Sequence, residues 1–145
     1  MPYITCKIAC SKDNYIKSNK SQYISNQESL NVTHLLRYRN DGILVSYKTI
    51  NADNPKLNCR LPGLENFSPK IFIMDRNLRT KNSSYVLNCI NRRNTFIFHN
   101  SHKLKKIKYL KKKGIKLIKI KDENIDKFDP YKIAKEIYKN KVYNL

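Results

Sequence analysis

The stretch that decides the fold runs from Ser21 to Gly63 and reads SQYISNQESLNVTHLLRYRNDGILVSYKTINADNPKLNCRLPG. Its Ser25-Asn26-Gln27-Glu28 pattern is typical of a capped helix start, and we expect that helix to run to about Arg39. The helix ends at Asn40-Asp41-Gly42, because such residues readily leave helical backbone geometry. Gly42–Ser46 (GILVS) then predicts a short apolar strand, which is typical of a sheet covered on both faces.

A polar loop, Lys48–Leu64, is predicted directly after this strand. It contains Thr49, Asp53, Asn54 and Arg60, whose side chains can bind polar ligands. Ligands of open α/β sheets bind outside the carboxyl ends of the strands. The sequence therefore predicts a small-molecule site in this loop.

Strands and helices alternate along the rest of the chain, which predicts a mostly parallel sheet with right-handed crossovers. We predict further strands at Tyr3–Ala9, Lys70–Asp75, Thr95–His99 and Ile115–Ile120, and helices at Lys103–Lys113 and from Asp129-Pro130 to about Lys139. The side chains expected to face the core are Leu30, Val32, Leu35 and Leu36 of the first helix and Ile133, Ala134 and Ile137 of the last.

The end of the sequence, Val142–Leu145, looks like the opening of a sixth strand. Strands in globular proteins usually have about 5–6 residues, and a central parallel strand is not expected to be both shorter and terminal. The pattern therefore predicts a domain that is truncated after Leu145.

Length and hydropathy limit the architecture. A chain of 145 residues predicts a single domain, residues 1–145. No apolar run approaches the roughly 18 residues of a transmembrane helix, so we expect no membrane partner. The N-terminus lacks the charged region, apolar region and cleavage site of a signal peptide, and we expect a cytoplasmic protein.

The net charge of +19 is the most obvious compositional signal. It comes from 30 basic residues, 23 lysines and 7 arginines, against 11 acidic residues. Lys, Asn, Ile and Tyr, whose codons are AT-rich, make up 68 of the 145 residues. Recognition of phosphates or bases more often uses arginine, whose planar fork binds bidentately. We therefore expect only non-specific binding of nucleic acid, through counterion release at low salt.

The cysteines and histidines do not form a recognisable metal site. Cys6, Cys10, Cys59 and Cys89 fit no zinc spacing, and His34, His99 and His102 are scattered. We expect free thiols, buried or half-buried, in a reducing compartment and no bound metal.

Three segments, Tyr3–Ala9, Ser21–Arg60 and Leu61–Thr80, resemble the reductase domain of the bacterial riboflavin-biosynthesis deaminase–reductase. The most specific motif is T-x₃-D-N-P-x-L-x-x-R, from Thr49 to Arg60, followed by LPG. The resemblance implies an α/β fold of the dihydrofolate-reductase type, with a mostly parallel sheet flanked by helices and lacking its C-terminal strands. The deaminase half has no counterpart, since the H-x-E and P-C-x-x-C signatures are absent.

The resemblance also implies a reaction. In this family NADPH delivers a hydride to the ribose C1′ of 5-amino-6-(5-phosphoribosylamino)uracil, which yields the ribitylamino product. Two alternatives stay open: a related pterin or pyrimidine reductase, and a non-catalytic basic module that binds nucleic acid on the same fold. A homodimer or a complementing chain is a further expected partner.

Site residues are carried over position by position from the family's motifs. The implied substrate positions are Ser21, Arg37, Leu57 and Arg60, and the implied cofactor positions are Tyr23, Thr49, Asp53 and Arg76. Arg37 and Arg60 suit a 5′-phosphate, because guanidinium–phosphate pairs are often bidentate. No catalytic residue is assigned. The family continues beyond the equivalent of Leu145 into an acidic residue at the substrate and a glycine pair at the dinucleotide, so we expect little NADPH oxidation by these 145 residues alone.

Overall fold

A computed structural model describes residues 1–16, 25–89, 94–121 and 127–145 of the chain. In this part, four strands form one parallel sheet in the order β1-β2-β3-β4. The strands are β1 (Gly42–Ser46), β2 (Lys70–Met74), β3 (Thr95–His99) and β4 (Lys116–Lys119). The helices are α1 (Gln27–Arg39), α2 (Tyr47–Asp53), α3 (Tyr85–Asn88), α4 (Leu104–Lys112) and α5 (Pro130–Lys139). The predicted α/β class and parallel sheet are confirmed.

One face of the sheet packs under α2, α3 and α4. Ile71 and Ile73 of β2 and Ile97 of β3 point to this face, where they meet Ile50 of α2 and Leu110 of α4. All five side chains are buried, and burying one such side chain stabilises the fold by about 1.5–3 kcal/mol. This layer carries α2, on which two of the predicted cofactor residues lie.

The opposite face carries an aromatic layer covered by α5. Phe72 and Phe96 stack with ring centroids 4.7 Å apart, and Phe98 lies 5.9 Å from Phe72. Ile133 and Ile137 of α5 complete this cluster. The prediction that these two α5 residues face the core is therefore confirmed. The three phenylalanines share this face because alternate residues of each strand point to opposite faces of the sheet.

The last residues of the chain lie between the N-terminal segment and β1. Tyr3 and Asn144 form a parallel bridge, and the Tyr3 amide donates to the Tyr143 carbonyl at 2.7 Å. On the other side, the Asn144 carbonyl accepts from the amides of Asp41 and Gly42 at 2.9 and 3.3 Å. The terminal segment thus lies beside the start of β1 through isolated backbone contacts, and Val142–Leu145 forms no strand of the kind that the sequence predicts.

The predicted first strand, Tyr3–Ala9, is wrong over most of its length. Its backbone pairs with the terminal segment only at Tyr3 and Thr5, and Ile4 and Ile8 are exposed. Alternation of apolar residues makes a strand only where a partner supplies a hydrogen-bonding ladder and a face to bury.

The start of α1 is close to the prediction, but its buried face is different. Asn26 rather than Ser25 is the cap, since its side chain accepts from the Ser29 amide at 2.9 Å. The expected core residue Val32 is 55% exposed, whereas His34 is buried. The predicted leucines of this helix, Leu30, Leu35 and Leu36, are half-buried.

The loop predicted at Lys48–Leu64 is wrong at its start, where the chain forms α2 instead. Ser46 ends β1 and also caps α2, because its hydroxyl accepts from the Lys48 amide at 3.2 Å. Asn54 ends this helix in the left-handed conformation, with φ of 43°. The short helix α3 was not predicted either.

The remaining elements agree with the prediction within about two residues. Asp129 caps α5 by accepting from the Tyr131 amide at 2.8 Å, and Pro130 occupies the first helical position.

Of the four cysteines, Cys6 and Cys10 are exposed rather than buried. No helix within the described ranges combines the length and apolar character needed to cross a membrane.

Candidate active site

Two arginines converge beside the connection between α2 and β2. Arg37, near the end of α1, donates from Nη1 to the Asn58 carbonyl at 3.1 Å. Arg60 lies against the imidazole of His34, with its amide nitrogen 3.2 Å from Nδ1 and its guanidinium Nε 3.3 Å from Nε2. We call these four residues, His34, Arg37, Asn58 and Arg60, the arginine cluster.

The arginine cluster is positively charged and lacks a counter-ion in the described part of the chain. Burial lowers the pKa of Arg37, and the nearby charge of Arg60 lowers it further. Within the described ranges no carboxylate lies at ion-pair distance from either guanidinium, and the buried Nε of Arg37 donates to no acceptor there. A buried charge without a partner is costly, so a bound anion would stabilise this arrangement.

Leu57 fixes the connection that carries the arginine cluster. Its side chain is buried in the core under α2 and α3, and its φ of 54° lies in the left-handed region. A bulky residue adopts this conformation only when its surroundings hold it there, and such strain concentrates at functional sites. Leu57, a predicted substrate position, therefore anchors the segment immediately before Asn58 and Arg60.

Thr49 and Asp53 lie on one face of α2, because residues four apart in a helix are neighbours. Both are exposed. Their exposure leaves the Thr49 hydroxyl and the Asp53 carboxylate accessible from solvent. They lie on a helix rather than in the loop that the sequence predicts.

Arg76 lies two residues beyond the end of β2, in a turn that begins at Asp75. The buried carboxylate of Asp75 accepts from the amides of Arg79 and Thr80, both at 2.7 Å, and from the Thr80 hydroxyl at 2.6 Å. Arg76 donates from Nη1 to the Lys127 carbonyl at 3.0 Å, and its guanidinium lies 5.4 Å from the centre of the Phe128 ring. A cation is thus fixed at the carboxyl end of β2.

A second buried histidine, His99, ends β3. The Ser101 amide donates to its Nδ1 at 3.3 Å. Burial lowers the pKa of His99, and the charge of Lys119 lowers it further. Its imidazole is therefore neutral at pH 7.

The predicted site residues fall at two ends of the sheet. Arg37 lies next to the amino end of β1, and the Cys59 amide donates to the Ser68 hydroxyl (3.2 Å), two residues before β2. The expectation that Arg60 lies beyond the carboxyl end of β1 is therefore wrong. Arg76 is at the carboxyl end of β2, the opposite end from Arg60. The length of this five-residue strand separates the two ends, roughly 16 Å at about 3.3 Å per residue. Ser21 and Tyr23 lie outside the described residues.

A cavity of about 480 Å³ adjoins the arginine cluster at the amino ends of β2 and β3. Asn58 borders both, and Ile71, Tyr85 and Thr95 line the cavity further in. The side-chain oxygens of Asn58 and Thr95 are buried and hydrogen-bond to no described residue. The cavity therefore has polar atoms whose hydrogen-bonding capacity is unmet.

Comparison with known families identifies the family of the chain. Residues 2–145 match the family described as the RibD C-terminal domain. The chain belongs to this family. One curated relative of this chain is the Candida glabrata 2,5-diamino-6-ribosylamino-4(3H)-pyrimidinone 5′-phosphate reductase, which is 37% identical over 92 residues. Another is the Aquifex aeolicus riboflavin biosynthesis protein RibD, 31% identical over 126 residues.

These two matches include 57% and 86% of this chain but 38% and 35% of the relatives. The chain therefore spans about a third of the length of the curated relatives it matches.

Solved structures show the same fold. Acinetobacter baumannii RibD (form 1) superposes on 99% of this chain with a TM-score of 0.77 and 19% identity, and the match covers 38% of that chain. The Saccharomyces cerevisiae riboflavin biosynthesis reductase superposes on 99% with a TM-score of 0.73 and 24% identity, and the match covers 60% of that chain. The dihydrofolate-reductase-like class expected from the sequence is confirmed.

Sequence reasoning missed His34 as a member of the site. It treated the three histidines as scattered, yet His34 and Arg37 lie three residues apart and so share one face of α1. This spacing, together with the motif that ends at Arg60, was the available signal in the sequence. It identifies the same helix face that the structure turns toward Arg60.

Proposed function

We propose that this RibD C-terminal domain chain forms part of an NADPH-dependent reductase that acts on 5-amino-6-(5-phosphoribosylamino)uracil. The reaction would transfer a hydride from NADPH to the ribose C1′ of the ring-opened imine form, and a proton would add to the imine nitrogen, which gives the ribitylamino product. The name of the Candida glabrata relative supports the pyrimidine substrate class. We further propose that residues 1–145 form one reductase-like domain, that it acts in the cytoplasm, and that a second copy or a complementing chain contributes to its site.

The observation that carries the proposal is the arginine cluster. Arg37 and Arg60 converge without a carboxylate in the described part of the chain. A 5′-phosphate would supply the missing charge and accept hydrogen bonds from both guanidinium groups. Ser21, beyond the described residues, is a further substrate position by resemblance.

The cofactor residues fit a dinucleotide by their chemistry. A carboxylate such as Asp53 can bind ribose hydroxyls, and an arginine such as Arg76 can bind a phosphate. The Thr49 hydroxyl and the Asp53 carboxylate are both exposed on the same face of α2. We propose that these residues, with Tyr23, hold NADPH, which supplies the hydride.

A second candidate substrate is the 2,5-diamino-pyrimidinone 5′-phosphate. The yeast relatives are named for this substrate, and the Debaryomyces hansenii enzyme is 40% identical over 78 residues. The two candidates differ in one ring substituent and share the phosphoribosyl group. The arginine cluster would bind either, so the ring contacts decide between them.

The test is calorimetric binding of both pyrimidine phosphates and of their dephosphorylated forms. Arg37→Met is compared with Arg39→Met, a matched control on the exposed side of the same helix. A charge-assisted hydrogen bond contributes about 1.5–3 kcal/mol. We expect Arg37→Met to weaken binding of the phosphorylated forms by about 10- to 100-fold and Arg39→Met to leave it unchanged.

The result that would refute this function is equal affinity of the wild-type chain for phosphorylated and dephosphorylated pyrimidines. Double-stranded DNA is titrated in parallel, to test the alternative of a basic nucleic-acid-binding module. Counterion release predicts that DNA affinity falls by about 10³ or more between 50 and 200 mM salt. DNA binding that persists in 200 mM salt and depends on sequence would favour the alternative.

A further inference from the structure

We propose that His34 is a positioning residue that orients the guanidinium of Arg60 for a substrate phosphate. This inference rests on the proposed function, because the phosphate is the ligand that Arg60 would bind. His34 was not among the predicted site residues. It is the buried member of the arginine cluster, whereas Arg60 is exposed.

The contact between the two side chains is specific. Arg60 turns its Nε toward the Nε2 of His34 at 3.3 Å, and its amide toward Nδ1 at 3.2 Å. A neutral imidazole has one acceptor nitrogen and one N–H. We assign Nε2 as the acceptor, because the guanidinium is the charged donor and charge-assisted hydrogen bonds are the stronger ones.

This geometry leaves the terminal nitrogens of Arg60 available. When Nε is used by His34, the two Nη groups still form a fork, and such a fork matches a phosphate edge. The long arginine side chain is also ordered before the ligand arrives. Binding therefore need not meet the entropy cost of immobilising it.

The charges around His34 keep its imidazole neutral. Burial lowers the pKa of His34, Arg37 and Arg60 lower it further, and a hydrogen bond to the Asn58 backbone partly opposes this. No described carboxylate pairs with the two arginines. An imidazolium would have no acceptor nitrogen left for Arg60, so the neutral state is the one that can position it.

The experiment compares ribose 5-phosphate with ribose as calorimetric probes of the wild-type chain, His34→Leu and His34→Gln. His102→Leu is the matched control at an exposed histidine. The Leu variant removes the acceptor, so the Arg60 side chain would have to be ordered when the ligand binds. We expect this variant to bind ribose 5-phosphate about 3- to 10-fold more weakly, which is the cost of ordering one long side chain. The Gln variant keeps an amide oxygen as acceptor and restores most of the affinity, while His102→Leu has no effect.

If His34 had only a structural role, His34→Leu would weaken the fold but would not cause a loss of affinity specific to ribose 5-phosphate. His34→Gln would then have no such loss to rescue. If His34→Leu is folded and binds ribose 5-phosphate as tightly as the wild type, the inference is wrong. If the wild-type chain itself shows no preference for ribose 5-phosphate over ribose, the proposed function fails instead.

Nitrogen NMR of the wild-type chain tests the geometry without any substitution. We expect His34 to be neutral with Nε2 unprotonated, and the Arg60 Nε–H to exchange with solvent more slowly than that of exposed Arg39. Equal exchange rates at the two arginines, or a protonated Nε2, would overturn the inference even if every variant failed to fold.

Discussion

Replacement of Asp75 by asparagine tests how the turn after β2 is held. Asp75 is 0% exposed, and its carboxylate accepts from two amides at 2.7 Å and one hydroxyl at 2.6 Å. Asparagine has the same shape but turns an NH₂ group toward at least one of these donors. One hydrogen bond is lost and one buried N–H is left unpaired, which costs about 2–4 kcal/mol. This is a large part of a typical stability of about 5–15 kcal/mol.

The assay is urea unfolding followed by far-UV circular dichroism. With a typical m-value of about 1–3 kcal/mol/M, we expect the midpoint of Asp75→Asn to fall by about 1–2 M at unchanged m. Thr80→Val, which removes the hydroxyl alone, should cost less, about 1 kcal/mol. An Asp75→Asn variant within about 0.5 kcal/mol of the wild type would show that these hydrogen bonds do not hold the turn, because ordinary surface substitutions have effects of that size.

Three further predictions follow from other parts of the structure. Burial lowers the pKa values of both His34 and His99 in the folded chain, so the unfolded chain takes up protons first as pH falls from about 6.5. The urea midpoint of unfolding should therefore drop between about pH 7 and pH 5, and a midpoint that does not change with pH would contradict this. Asn54→Ala should lower the free energy of unfolding by about 1–2 kcal/mol, since Asn54 has φ of 43° and its side chain accepts from the Tyr85 amide at 2.8 Å, whereas an unchanged urea midpoint would count against that role. Arg76→Gln should weaken NADPH more than NADH in fluorescence titrations, because only NADPH carries the 2′-phosphate; equal losses would remove Arg76 from the proposed cofactor site.

The strands could be predicted where a short apolar run stands between turn residues. Gly42–Ser46 and Thr95–His99 have the predicted bounds, because strands buried on both faces need a continuous apolar sequence. The same argument failed at Tyr3–Ala9, which alternates but has a partner only near Tyr3. Pairing depends on residues distant in sequence, and no local pattern reports it.

The helix α2 could not be recognised from periodicity. Seven residues give less than two full turns, too few for a repeat of apolar positions to stand out. The usable signal was chemical: Ser46 can cap a helix, and Asn54 tolerates the left-handed conformation that ends one.

The candidate site was predicted in its members but not in its position. Resemblance supplied Arg37 and Arg60, and the structure brings both to one connection. Their place at the amino ends of β1 and β2 depends on how that connection folds back, which the strand-end rule does not address. The spacing of His34 and Arg37 places both on one face of α1, but only the tertiary contact with Arg60 shows that His34 belongs to the site.

A crystal structure of the chain with 5-amino-6-(5-phosphoribosylamino)uracil bound would test the proposed phosphate site directly. We expect the 5′-phosphate to lie between the guanidinium groups of Arg37 and Arg60, with the Arg60 Nε still on His34. A phosphate bound elsewhere, for example on the lysines of α4, would contradict the claim that the arginine cluster recognises the substrate.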